Sequence, residues 1–319
     1  MDLERLPADA VLARNRISDY IRETPLDYSP HFTAHSGAEV WLKLENLQYT
    51  GSFKLRGAFN KLLSLTPEQR EAGCVAASSG NHGAAVAWAM GKLGVHGVIF
   101  VPEHTSPAKV AAIRQAGGEV RHFGTDGLDT ELHAREHAER SGRCYLSPYN
   151  DADVIAGQGT CGVEIAQQLA PVDAAFIAVG GGGLISGVGA FLKSVNPAVE
   201  IIGCQPAASA VMTESVRAGE LLELPSEPTL SDGTAGGIEA GAITFDLCRR
   251  VVDDFLVVGE DEIAEAMRQF IDSHHMLLEG AAGIALAGLA QCGDRFCGKN
   301  VVAIICGGNI SRETLKTVI

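Results

Sequence analysis

The chain has 319 residues, of which 46% are hydrophobic and 20% charged, and a formal net charge of −14. That length allows a large core and two domains, while the acidic balance argues against nucleic acid or an anionic membrane as a main partner. No uninterrupted apolar run of about 18 residues appears, so a membrane span is not expected.

The N-terminal stretch "MDLERLPADAVLARNRI" is charged and lacks an apolar signal core, which argues against secretion. Eight cysteines are scattered without a CxxC pair or a Cys/His block, and most sit in apolar runs, as free core thiols do. A cytoplasmic location is expected. "VWLKLENLQYTG" (Val40–Gly51) reads as a strand closed by a polar turn, and "SFKLRGA" (Ser52–Ala58) as the mouth of a helix. Lys54 opens that helix, where the dipole favours negative charge. It is either a surface lysine or one kept for its amine.

Further along, 74–78, 97–101, 119–123, 174–179, 199–204, 255–258 and 301–306 read as strands. Helical patterns fall between them at Gly83–Leu93, Pro107–Ala116, Thr130–Ser141, Gly159–Leu169 and Glu260–His274. This alternation predicts an α/β protein with mostly parallel twisted sheets covered by helices. No repeat or flexible tether divides it. The expected organisation is a large domain, residues 1–66 plus 151–319, and a small mobile domain, residues 67–150, with crossings near Gly73 and "SPYND" (Ser147–Asp151).

Three glycine-containing turns follow strands: "SSGNHG" (Ser78–Gly83), "GGGGLISG" (Gly180–Gly187) and "CGGN" (Cys306–Asn309). Open α/β sheets bind ligands outside the carboxyl ends of their strands. Glycines opening a helix expose backbone N–H groups to an anion. The run at Gly180 lacks the Lys-Ser/Thr of a nucleotide P-loop and does not fit GxGxxG. Nor does the next strand end in an acid for a ribose, since Gln205 stands there. A single phosphate on a small cofactor fits better than a dinucleotide, and with a reactive lysine it suggests pyridoxal 5'-phosphate.

"SFKLRGA", "SSGNHG", "AGQGT" (Ala156–Thr160), "GGGGLISG", "SDG" (Ser231–Gly233), "LLEGAAG" (Leu277–Gly283) and "CGGN" stand in the order found in fold-type II pyridoxal enzymes. The sequence resembles the serine/threonine dehydratase (threonine ammonia-lyase) and serine racemase family from about Pro25 onward. The resemblance implies that Lys54 carries the cofactor and Phe53 flanks its ring. It implies that Asn81 contacts the phenolic oxygen, and that Gly180, Gly181, Gly182, Gly183 and Leu184 hold the phosphate. Ser78, Ser79, Gly80, Asn81 and His82 match the segment for the substrate carboxylate, His82 shaping that loop or titrating in it. Cys306 falls where the family often has serine or threonine, facing the pyridine nitrogen. A thiol there is a weak hydrogen-bond partner.

Ser79 has two readings: an acid/base on the face opposite the lysine, as the racemase group carries, or a cap for the next helix. Gln205 and Val211 stand where the racemase-like group has carboxylates for a divalent ion, so no metal site is expected. The last motif lies near Ile319, leaving no room for the C-terminal regulatory domain of biosynthetic threonine dehydratases. The expected activity is α,β-elimination on a β-hydroxy-α-amino acid, giving a 2-oxo acid and ammonia. Small residues in "SDGTAGGIEAG" (Ser231–Gly241) suggest a β-substituent bulkier than that of serine, such as the phenyl of phenylserine. The rivals are a racemase with side elimination and a non-catalytic or dinucleotide-binding α/β protein. The expected partner is a small molecule, and a homodimer is compatible with the family.

Overall fold

A computed structural model describes residues 4–125 and 127–319. Its strands in chain order begin with β1 (Leu26–Tyr28), β2 (Glu39–Lys43), β3 (Cys74–Ala77), β4 (Gly97–Val101) and β5 (Glu119–His122). They continue with β6 (Cys144–Tyr145), β7 (Ala174–Ala178), β8 (Glu200–Pro206), β9 (Asp254–Val258) and β10 (Asn300–Ile304).

These strands form a six-stranded sheet, β1-β2-β10-β7-β8-β9, and a four-stranded one, β5-β4-β3-β6. Every pairing is parallel except that of β1 with β2. The central strands β7 ("AAFIA") and β10 ("NVVAI") are almost wholly buried, because helices cover both faces. The edge strand β5 ("EVRH") is polar and mostly exposed, which protects an edge from pairing with another chain. The expected α/β architecture is present. No helix among the described residues is long and apolar enough to cross a membrane.

Two short strands, β1 and β6, and the helices Leu6–Ile17 and Ile243–Val251 fall outside the elements expected from the sequence. The helix expected at Gly159–Leu169 starts earlier and spans Ala152–Gln168, capped by the Asp151 carboxylate, which accepts from the N–H groups of Asp153 and Val154. Its glycines do not break it. A Cβ on Gly157 would lie 2.6 Å from the Gly57 Cα, and one on Gly187 would lie 2.6 Å from the Gly159 nitrogen. Three helices meet here backbone to backbone, which only glycine permits.

The helix Lys54–Ser64 joins the two sheets. Leu55, Phe59 and Leu62 pack in one core with Cys74, Val86 and Ile99 of the four-stranded unit. Its buried Gly57 N–H donates to Gln158 of the Ala152–Gln168 helix.

Candidate active site

Lys54 is the first residue of its helix, and Phe53 precedes it as a cap with no side-chain hydrogen bond. The approach to the helix is sewn to the end of β10. Phe53 N–H donates to the Cys306 carbonyl at 3.0 Å, Gly308 N–H donates to the Gly51 carbonyl at 2.9 Å, and Ser52 bridges Gly307. The motifs "SFKLRGA" and "CGGN", far apart in the chain, therefore position one another.

The Lys54 amine donates to the Pro148 carbonyl at 2.9 Å and stands 5.1 Å from the Phe53 ring centre. Burial lowers its pKa to about 8, against the opposing pull of Cys306 and Glu279. The Cys306 thiol is itself pushed well above its ordinary range by burial, so it stays protonated and leaves Glu279 as the neighbouring charge. A lysine of this kind has an appreciable neutral fraction near neutral pH, which both a nucleophile and a base require.

The amine opens into a cavity of about 170 Å³ shared with Phe53, Ser78, Asn81, His82, Gly180 to Gly183, Leu184 and Cys306. Ser79 and Gly80 line an adjoining cleft of about 1060 Å³, and Asn81 and Glu279 line both. The residues singled out from sequence are thus brought to one place, at the carboxyl ends of β3, β7 and β10.

Gly182, at φ 84°, caps the helix Gly183–Val195, whose start has no side-chain cap. The first N–H groups of that helix lack intrahelical acceptors and form the positive end of its dipole, which suits a phosphate. The glycines have a second reason that the sequence did not disclose. A Cβ on Gly181 would lie 2.3 Å from the Tyr149 ring, and one on Gly182 would lie 2.9 Å from the Cys248 sulfur.

The helix Asn81–Leu93 is capped by Gly80 without a side-chain bond, so Ser79 does not cap it. The Ser78 hydroxyl instead accepts from Gly80 N–H at 3.1 Å. His82 Nε2–H donates to the Leu146 carbonyl at 2.9 Å. Burial first, and the Lys54 charge second, depress its pKa to about 3, so the ring is neutral.

A histidine with a folded pKa below the unfolded value near 6.5 binds fewer protons when folded. Its stability contribution is complete above about pH 6.5 and drains as pH falls toward 3, by up to about 1.4 kcal/mol per unit. Acidification from about pH 6.5 to about 5 should cost wild type about 2 kcal/mol through this group. Thermal unfolding across that range checks this, and His82→Gln should flatten the profile there. A wild-type profile already flat there would contradict it.

Gln205 spends its side-chain oxygen on the N–H and hydroxyl of Thr213, both at 2.7 Å, and Val211 is buried. Among the described residues, no group of three or more His, Cys, Asp or Glu is placed to hold a metal ion.

Sequence reading assigned no role to Glu279, Asn309 or Tyr149. Glu279 is 6% exposed and accepts from Asn81 Nδ2 and from the N–H of Asn309. Burial raises its pKa, and the bond from Asn81 opposes that rise. The available signal was a lone carboxylate in the apolar run "LLEGAAG".

The donor set fits pyridoxal phosphate: an amine for its aldehyde, an uncapped helix start for its phosphate, and a neutral thiol and an amide for its ring. Residues 17–307 match the family described as pyridoxal-phosphate dependent enzymes, and the chain belongs to that family, with the fold of its type II members. Within the family it groups with the ammonia-lyases. It is 38% identical over 312 residues to the catabolic L-threonine dehydratase TdcB of Escherichia coli K12, covering 97% of this chain and 94% of that one. The processed form of threonine deaminase isoform 2 from Solanum lycopersicum superposes with a TM-score of 0.93 at 35% identity, covering 99% of this chain and 92% of that one. Maize serine racemase superposes at 0.91 with 31% identity, covering 97% and 95%.

Proposed function

We propose that this ammonia-lyase dehydrates β-hydroxy-α-amino acids to 2-oxo acids and ammonia, and that it accepts β-substituents larger than that of serine, an aryl group included. The observation that carries the elimination chemistry is the Lys54 amine. It is held in the cavity by one carbonyl, with no carboxylate at ion-pair distance among the described residues. When bound, pyridoxal phosphate supplies an aldehyde for an amine and an electron sink for the substrate α-carbon.

The chain's own residues do the rest. Backbone N–H groups at the start of the Asn81–Leu93 helix, with Ser78 and Ser79, receive the substrate carboxylate. The Lys54 amine, once free, takes the α-proton. Water leaves from the β-carbon, and hydrolysis of the released product returns one water and yields the 2-oxo acid and ammonia. Cys306 stays a neutral thiol in the cavity, where it would face the cofactor, and His82 stays neutral beside it.

The outer cleft supports the larger substituent. Tyr49, Trp88, Ala84 and Ala112 give it apolar walls, whereas the small residues Gly236 and Gly237 are exposed and do not line it. Gly236 and Gly241 have positive φ, at 122° and 72°, so the turn needs them for its shape. An apolar group entering the cleft gains roughly 25 cal/mol per Å² buried. Values of kcat/KM for serine, threonine and phenylserine test this, since the ratio reports differential transition-state binding. Phenylserine should match or exceed serine. Serine preferred by about tenfold or more would restore an ordinary serine/threonine dehydratase. Racemisation is the second reading, favoured by the Ser79 hydroxyl, which is free of a capping role. The chirality of residual substrate in the same reactions reports it.

A further inference from the structure

Asn81 opens a helix of the four-stranded unit, yet both ends of its amide are held by the six-stranded unit. Its nitrogen donates to the two oxygens of Glu279, at 2.8 and 3.0 Å, and its oxygen accepts from Asn309 Nδ2 at 2.7 Å. Asn309 is fixed in turn. Its Nδ2 also donates to the Thr50 carbonyl at 2.8 Å, and its backbone N–H donates to Glu279 at 3.2 Å.

A carboxylate only accepts and an amide NH₂ only donates, so these two partners decide which way the Asn81 amide lies. Glu279 lines both the Lys54 cavity and the outer cleft, whereas Asn309 lines the outer cleft alone. The nitrogen is therefore the cavity end of the amide. It keeps one N–H beyond the one that the carboxylate shares.

We propose that Glu279 and Asn309 are positioning residues that hold the Asn81 amide nitrogen toward the Lys54 cavity, where it donates a hydrogen bond to an anionic oxygen of the bound cofactor. This rests on the cofactor reading of the cavity. A flipped amide would turn an oxygen lone pair on that anion instead of a donor. Asn309 does not line the Lys54 cavity, so its side chain reaches the cofactor through Asn81, whereas Glu279 lines that cavity and also acts on Lys54 by its charge.

The isosteric exchange Glu279→Gln with Asn309→Asp reverses donor and acceptor at both ends of the Asn81 amide, keeps the net charge, and should flip the amide, with loss of the bond from residue 309 to the Thr50 carbonyl. The cofactor-free double variant is expected to melt within about 5 °C of wild type, the lost bond to the Thr50 carbonyl included. Its dissociation constant for pyridoxal phosphate should rise about tenfold or more, the loss of one charge-assisted hydrogen bond. The visible band of the loaded protein should weaken at fixed pH. Glu279→Gln alone should stay within about threefold in affinity, because Asn309 still orients the amide. If the double variant melts early, Asn309→Ser removes the orienting donor, together with its bond to the Thr50 carbonyl, without adding a charge, and should weaken binding roughly threefold to tenfold.

Wild-type affinity and spectrum in the double variant, or in Asn309→Ser where that variant is used, would overturn the inference. So would a single Glu279→Gln variant as impaired as the double, since charge and not orientation would then be the cause. Wild-type protein that fails to bind pyridoxal phosphate would overturn the cofactor reading itself, a distinguishable result.

Discussion

Lys54→Met is expected to reduce turnover by roughly ten-thousand-fold or more, because it removes both the proposed attachment point of the cofactor and the proposed base for the α-proton. The same change should raise, not lower, the stability of the cofactor-free protein at neutral pH. The folded pKa of about 8 lies below the ordinary value of 10.5. The charged amine therefore opposes folding at neutral pH, an opposition that fades as pH rises from about 8 toward 10.5. The amine is only partly buried, so its isosteric apolar replacement should gain roughly 1–2 kcal/mol. Calorimetry of cofactor-free protein beside a turnover assay checks both halves. Turnover retained within about a hundredfold would remove Lys54 from the chemistry. A fall in melting temperature would show that the amine serves the fold.

Arg56→Ala should be the most destabilising single substitution near the site, at about 3–5 kcal/mol. Arg56 is wholly buried, two residues after Lys54. It donates to Glu45 at 2.7 Å through both Nε and Nη2, and to Glu164 at 2.6 and 2.8 Å. Lys43 also donates to Glu164, at 2.7 Å, so two cations balance two carboxylates out of reach of water. Burial alone would raise the Glu45 pKa, but the Arg56 charge and hydrogen bonds override it and lower it. With Arg56 gone, a net negative charge stays buried and unpaired.

Arg56→Lys should also destabilise, because an ammonium cannot make paired bonds to both carboxylates. Acid should weaken the cluster as pH drops through the depressed Glu45 value, since the contribution of a lowered carboxylate pKa exists only above it. Denaturant midpoints of the two variants read the effect. A midpoint unchanged by Arg56→Ala would mean that the cluster holds nothing together. Glu45 and Arg56 bracket the segment that presents Lys54, so the cluster also fixes the geometry of the amine.

Much of this architecture is legible in the chain. The runs "GVIFV" and "VVAII" announce strands buried on both faces, and Ala-rich segments between them announce the covering helices. That Lys54, Asn81, the Gly180 loop and Cys306 meet around one cavity is legible because each follows a strand end or opens a helix, and the family resemblance orders them.

Residues whose role depends on distant partners are not. The contacts of Asn81 with Glu279 and Asn309 span 198 and 228 positions, and that of Arg56 with Glu164 spans 108. No local pattern encodes such meetings. Glycine is ambiguous for the same reason: Gly157 and Gly159 look like helix breakers until the neighbouring backbones that require them are seen. Ser79 can be read from sequence as an acid/base or as a helix cap, and the structure places Gly80 in the cap position.

The central claim is that the Lys54 amine carries the cofactor in this cavity. Borohydride reduction of the loaded enzyme followed by peptide mapping tests it most directly. The account predicts a pyridoxyl group on Lys54 alone, because the other lysines nearby are committed. Lys43 is buried against Glu164, and Lys61 is paired with Asp151 at 2.7 Å and Asp153 at 3.1 Å. A label on Lys43 or Lys61, with Lys54 unmodified, would contradict it.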